Sequence, residues 1–218
     1  MDTGSECRGS LVSGEKMEIR NKLRKKDIRK ITEFSALGMG VRNYTDKPSE
    51  IRLYSRYFMY MELCRATRII GAFENDEPVG LLLADIKGEK KAFRSVFSRI
   101  IIGVSEFLMR IFFKGGAQSY SDANEDMYKE FVRYKSPDGE IGFLAVKPEE
   151  EGKGIGTMLL GKLEDPEKKK LLYLFTDSNC TYQFYDKRGF VLEQKREIEL
   201  CLHGNKIPLS CFLYSKKI

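Results

Sequence analysis

Residues 143–163 read FLAVKPEEEGKGIGTMLLGKL. An apolar run reaches back to Gly139 (GEIGFLAV, residues 139–146) and has the composition of a buried strand. A polar turn follows over Lys147 to Glu151, and glycines stand at 152, 154 and 156. Met158, Leu159, Leu160 and Leu163 then recur at a helical period. Strand, glycine-rich turn and helix put bared backbone N–H groups at a helix mouth. Those first N–H groups have no partner inside the helix, and the helix dipole stands behind them, so they suit an anion such as phosphate. Glu151, Gly152, Lys153, Gly154, Ile155, Gly156 and Thr157 are the candidate anion-binding residues, with Lys153 adding a cation. The spacing is GxGxG, so neither GxxxxGK[ST] nor GxGxxG is present. Glycines here also permit tight strand–helix packing, which is the alternative reading of the same residues.

Downstream, Lys170 to Thr176 (KLLYLFT) is a second buried strand, and Cys180 to Arg188 a short helix carrying Tyr185. Gly189 is placed as the glycine that ends that helix, and Phe190 opens the next strand. Phe190 to Leu200 and Ile207 to Tyr214 pair across His203-Gly204-Asn205. Upstream, Met17 to Lys25 reads as a strand. Asp27 can cap a helix with Ile28, Ile31 and Phe34 on one face, which Gly38 and Gly40 break. Pro48 and Ser49 open a second helix. Thr67 to Phe73 and Val79 to Ile86 form a β-hairpin around residues 74–78. Lys87 to Lys135 holds two amphipathic helical patterns on either side of Lys114-Gly115-Gly116. The order β α α β β (αα) β α β α β β predicts a mixed α/β or α+β fold.

The chain has 218 residues, enough for one domain with a core of its own. Residues 1–16 have no hydrophobic period and are expected to be a disordered extension before a single domain over 17–218. They also lack the apolar stretch of a signal peptide. One histidine, His203, argues against His triads and two-His metal sites, and no metal is expected. Five cysteines without a CxxC pair argue against a zinc ribbon or a thioredoxin-like site and read as reduced thiols in a cytoplasmic protein. The net charge of +6 suits a polyanionic ligand but falls short of a nucleic-acid surface. Ala92 to Phe113 is long enough to cross a bilayer, yet Arg94, Arg99, Glu106 and Arg110 interrupt it. Its apolar residues keep a helical period, so an amphipathic helix is expected, first packing on the core, then as a dimer contact or groove lid, and only third as a membrane-surface helix.

Together, EGKGIG (151–156) and YDKRGF (185–190), separated by a strand, resemble the GNAT N-acetyltransferase superfamily. That family carries [QR]xxGx[GA] after a strand, then an Asn-containing stretch and YxxxGF. The resemblance spans roughly residues 17–214, with Lys87 to Lys135 as a helical insertion between strands 3 and 4. Glu151 stands where the family has Gln or Arg and is expected to point to solvent. The implied fold is a mixed, mostly antiparallel sheet flanked by helices. The implied activity is transfer of an acetyl group from acetyl-CoA to an amine by direct attack on the thioester.

On that resemblance, Leu144, Ala145 and Val146 would offer backbone groups from a splayed strand edge to the pantetheine arm. Gly152, Lys153, Gly154, Gly156 and Thr157 would hold the pyrophosphate, and Asn179 or Ser178 the pantetheine. Tyr185 would protonate the departing thiolate. The resemblance leaves the base open. Glu140, on the catalytic strand, is the candidate, acting through water; an exposed strand-start charge is its alternative reading. The implied partner is a small-molecule or peptide amine, with a homodimer as one use of the insertion and neither nucleic acid nor membrane as a ligand. The alternative function is an acyl-CoA-binding module without turnover.

Overall fold

Three consecutive leucines, Leu81, Leu82 and Leu83, are all at most 1% exposed. Successive strand residues face opposite sides of a sheet, so such a run requires cover on both faces. The computed structural model, which describes residues 17–38, 47–93, 102–103, 116–164, 168–202 and 205–218, provides that cover. In chain order the elements are β1 (Met17–Arg20), α1 (Lys25–Gly38), α2 (Pro48–Arg65), β2 (Arg68–Glu74), β3 (Glu77–Ile86), α3 (Gly116–Phe131), β4 (Gly139–Val146), α4 (Ile155–Gly161), β5 (Leu171–Asp177), α5 (Gln183–Asp186), β6 (Val191–Leu202) and β7 (Asn205–Lys217).

The strands form one seven-stranded sheet in the order β1-β2-β3-β4-β5-β7-β6. Every neighbouring pair is antiparallel except β4 and β5. The expected mixed, mostly antiparallel sheet with flanking helices is therefore the observed fold. One face packs Leu82, Ala84 and Ile86 with Ile155, Leu159 and Leu160 of α4 and with Phe184 and Tyr185 of α5. The other packs Leu81, Leu83 and Phe143 beneath Ile28, Ile31 and Phe34 of α1 and Met59 and Leu63 of α2. On that same second face α3 lays Ala123, Met127 and Phe131 over Tyr173, Cys211 and Leu213. Each fully buried Leu contributes roughly 1.5–3 kcal/mol.

Local signals account for the boundaries. Pro48 takes the first position of α2, where its missing N–H is not needed. Asp27 lies in the first turn of α1, where its carboxylate accepts the Arg24 N–H at 2.8 Å, half of a reciprocal cap. Asn75 and Asp76 both have positive φ, so β2 and β3 join through a two-residue turn, tighter than the expected five-residue connection. The helix after the glycine turn begins at Ile155, and the helix carrying Tyr185 is shorter than expected. The proposed extension 1–16, most of Ala92–Phe113 with its dimer or lid role, and His203 lie outside the described residues. No helix among the described residues is long and apolar enough to cross a membrane.

Candidate active site

β4 and β5 pair only at Gly139↔Leu172 and Glu140↔Tyr173. Beyond that point β4 stays bonded to β3 as far as Gly80↔Val146, while β5 stays bonded to β7 as far as Asp177↔Cys211. The two strands therefore part, and a gap opens in the middle of the sheet. The ladder parity says which backbone groups face it. Lys147 N–H donates to the Val79 carbonyl at 2.8 Å, so in this antiparallel register residues 147, 145 and 143 turn their N–H and C=O to β3. Leu144 and Val146 turn theirs to the gap. Ala145, expected to serve the gap with them, has its backbone groups on β3 instead. On the opposite wall, Lys170 and Ile218 exchange both bonds at 2.8 and 2.9 Å, and Ser178 N–H reaches Ser210 at 2.9 Å. Even-numbered residues of β5 thus bond β7, and Phe175 presents its backbone groups to the gap, while the Asp177 carbonyl accepts the Cys180 N–H at 3.1 Å.

The glycine turn closes the β4 side of this opening. A 3-10 turn over Pro148–Glu150 leads to Gly152 and Gly154, with φ of 79° and 81°. A Cβ at either would meet nothing within 4 Å, so conformation rather than crowding requires glycine there. The first intrahelical bond of α4 runs from Met158 N–H to the Gly154 carbonyl at 3.0 Å, so the N–H groups of Ile155, Gly156 and Thr157 precede the ladder. Gly156 has a different reason. A Cβ on it would stand 2.9 Å from the Phe184 ring, so its absence lets α5 dock on α4. Arg188 ties the same two helices, donating from Nε to Thr157 Oγ1 at 2.8 Å with its guanidinium 3.6 Å from the Phe184 ring centre. Lys153 pairs with Glu150 at 2.6 Å, and Glu151 is exposed, as expected.

Tyr185 is half-buried and packs edge-on against Phe184 and Phe190, with ring centres 5.3 and 5.4 Å away. Its hydroxyl has no hydrogen-bond partner among the described residues. Burial and the neighbouring Cys180 raise its pKa above the usual 10, so the phenol keeps its proton at neutral pH. Cys180 is pushed up to about 12 by burial and by Asp177, which makes it a protonated thiol and a poor nucleophile. Asn179 N–H donates to Asp177 Oδ1 at 2.8 Å in a local turn. Ser178 Oγ accepts the Ser210 N–H at 3.2 Å, which holds that hydroxyl on β7.

The opposite face carries a carboxylate pair. Leu83 faces Phe143 and Ala84 faces Ile141, which leaves Gly142 as a β-bulge where the strands begin to part. Over it lies Glu62 of α2, 4% exposed. A Cβ on Gly142 would collide with Glu62 Oε2, so glycine at the bulge admits that side chain. Arg65 donates to Glu62 Oε1 at 3.1 Å and to Glu140 Oε2 at 2.6 Å, and the Tyr173 hydroxyl donates to Glu140 Oε2 at 3.0 Å. Burial chiefly, and the Glu140 charge beside it, push Glu62 up to about 7 against the pull of Arg65.

A family profile described as the acetyltransferase (GNAT) family matches residues 39–190, more than half of the sequence. This chain belongs to the GNAT acetyltransferase family. The fold agrees. A protein from Corynebacterium glutamicum described as histone acetyltransferase HPA2 and related acetyltransferase superposes with a TM-score of 0.55 at 17% identity, covering 90% of this chain and 94% of its own. An N-acetyltransferase from Staphylococcus aureus gives 0.50 at 14%, covering 93% and 98%. A GCN5-related N-acetyltransferase from Rhodopseudomonas palustris gives 0.50 at 17%, covering 96% and 100%. Among curated proteins, none matches.

In this GNAT chain the fold brings the glycine turn, Leu144, Val146 and Tyr185 around one apolar cluster, with Asn179 at the end of the facing strand. Glu140 is at the parting of the strands but on the Arg65 side, held by two donors. Sequence reading missed Glu62, Gly142 and Arg188. The signals were a glycine inside an apolar strand, which marks a bulge or close approach, and a carboxylate next to the buried Leu63 on α2.

Proposed function

We propose that this GNAT chain transfers an acetyl group from acetyl-CoA to a primary amine. The observation that carries the reading is the pair of outward-facing backbone positions, Leu144 and Val146, set in a sheet gap that ends on two left-handed glycines. These features fit acetyl-CoA: an extended amide-bearing arm can pair with a free strand edge, and a diphosphate can take N–H groups at the helix mouth. Gly152 to Thr157 hold the diphosphate, and Lys153 exchanges Glu150 for it. Leu144 and Val146 hold the arm, the Leu144 N–H, nearer the parting of the strands, polarises the carbonyl and Asn179 lines the facing wall. Acetyl-CoA supplies an activated acyl group as its thioester. Tyr185, with its proton retained by burial, protonates the sulfur as the carbon–sulfur bond breaks. The amine approaches from the α2–α3 face, opposite α4 and α5.

The test is a thermal-shift titration with acetyl-CoA, followed by CoA release with spermidine, glucosamine, tyramine and a peptide bearing a free N-terminus. Stabilisation plus CoA release with one of these amines is expected. Stabilisation with no turnover favours the acyl-CoA-binding module, and no shift with acetyl-CoA removes both readings.

A further inference from the structure

We propose that Glu62 takes the proton from the acceptor's ammonium group, through one water, at the bulge where β4 and β5 part. The proposal rests on the acetyl-transfer reading above and assigns a residue that the family motifs do not include.

Position is the first argument. Along β4 from Val146, the gap-facing groups end at Leu144, and the bulge at Gly142 follows directly. Four residues of strand span about 13 Å, after which the β4–β5 ladder closes the gap. The reactive end of an arm lying on that edge therefore comes to rest beside Gly142. Glu62 crosses Gly142 from α2, and glycine is the one residue there that leaves room for its carboxylate.

Orientation is the second. Tyr185 belongs to the α4–α5 face and Glu62 to the α1–α2 face. Acyl transfer to an amine needs one proton removed on the nucleophile's side and one delivered to sulfur on the leaving side. The amine nitrogen bonds to the carbonyl carbon, and the carbon–sulfur bond breaks. One of the two protons lost from nitrogen passes to Glu62 and on to solvent. The other replaces the proton that Tyr185 gives to sulfur.

Charge is the third. Among the described residues Arg65 is the cation bonded to both Glu62 and Glu140, while Lys91 takes the nearby Asp85 at 2.7 Å, so one cation serves two carboxylates. Glu140 is the better compensated, since Tyr173 also donates to it. Glu62 is the more buried, and its Oε2 has no hydrogen-bond partner among the described residues. A carboxylate so placed both accepts and releases a proton near neutral pH.

The experiment follows the Glu62 side-chain carboxyl by ¹³C NMR in glutamate-labelled full-length protein, with Glu62→Gln to assign the signal, with and without acetyl-CoA. A midpoint near neutrality, moved upward by about half a pH unit or more when acetyl-CoA binds and excludes water, is the expected result. With the amine that gives CoA release, the wild-type pH profile has an acidic limb. Glu62→Gln removes that limb with a 10²–10⁴-fold loss of rate, whereas Glu62→Asp retains it. A midpoint below about 5, or one indifferent to acetyl-CoA that calorimetry shows to be bound, overturns the proposal. An acidic limb that survives in a folded Glu62→Gln variant also overturns it. Absence of acetyl-CoA binding by the wild type refutes the acetyl-transfer reading itself, and the proton-acceptor role falls with it; the NMR midpoint separates that case from a misassigned residue.

Discussion

Replacing Glu62 by Gln should make the protein's stability less sensitive to pH in a calculable way. The carboxyl titrates near 7 in the fold against 4.5 when free, because burial disfavours its charge. A raised carboxyl contributes most below its unfolded value, and that contribution is lost as pH rises through the folded one. The window is therefore between 4.5 and 7. Integrated from pH 5 to pH 8, the native state loses about 2.5 kcal/mol through this one group. Glutamine cannot titrate, so the variant escapes that loss, whatever constant amount it gains or loses by keeping Arg65 paired only with Glu140. Urea unfolding of both proteins at pH 5 and pH 8 measures it. The difference in stability, variant minus wild type, should rise by about 2.5 kcal/mol between the two pH values. Parallel pH dependences would show that Glu62 ionises normally, and the charge argument at the bulge would fail.

Three other substitutions probe the remaining parts. Gly154→Ala forces a left-handed backbone on a Cβ-bearing residue, so it should cost about 1–2 kcal/mol in chemical denaturation and weaken acetyl-CoA binding in calorimetry, although no atom obstructs the methyl. Gly156→Ala pushes against Phe184 and should destabilise by about 1–3 kcal/mol, with Phe184→Leu restoring part of the loss in the same assay. Tyr185→Phe removes a hydroxyl with no partner among the described residues, so Tm should hold while kcat falls about 10²-fold or more and the acetyl-CoA Kd stays constant. A matching loss of Kd would make the ring structural.

The strand–turn–helix at 139–161 and the strand–helix–glycine at 171–189 were legible because each is local. Buried runs and glycines carry their own boundaries there, and the order of elements then pointed to a mixed α/β or α+β fold. The bond parity of β4 was not legible. Leu144, Ala145 and Val146 are equally apolar, and only the register against β3 tells which of them faces the gap. Gly156 reads as a phosphate glycine in sequence but answers to a ring 28 residues later. Glu140 is legible in the sequence only as a carboxylate near the start of β4. Its pairing with Arg65, 75 residues away, and the approach of Glu62 to Gly142 are tertiary facts without a sequence period.

A crystal structure with bound CoA tests the central claim most directly. The account predicts a diphosphate on the N–H groups between Gly152 and Thr157, an arm hydrogen-bonded to Leu144 and Val146 but not to Ala145, and a sulfur within reach of the Tyr185 hydroxyl. CoA lying elsewhere, or an arm that leaves the β4 edge unpaired, would contradict it.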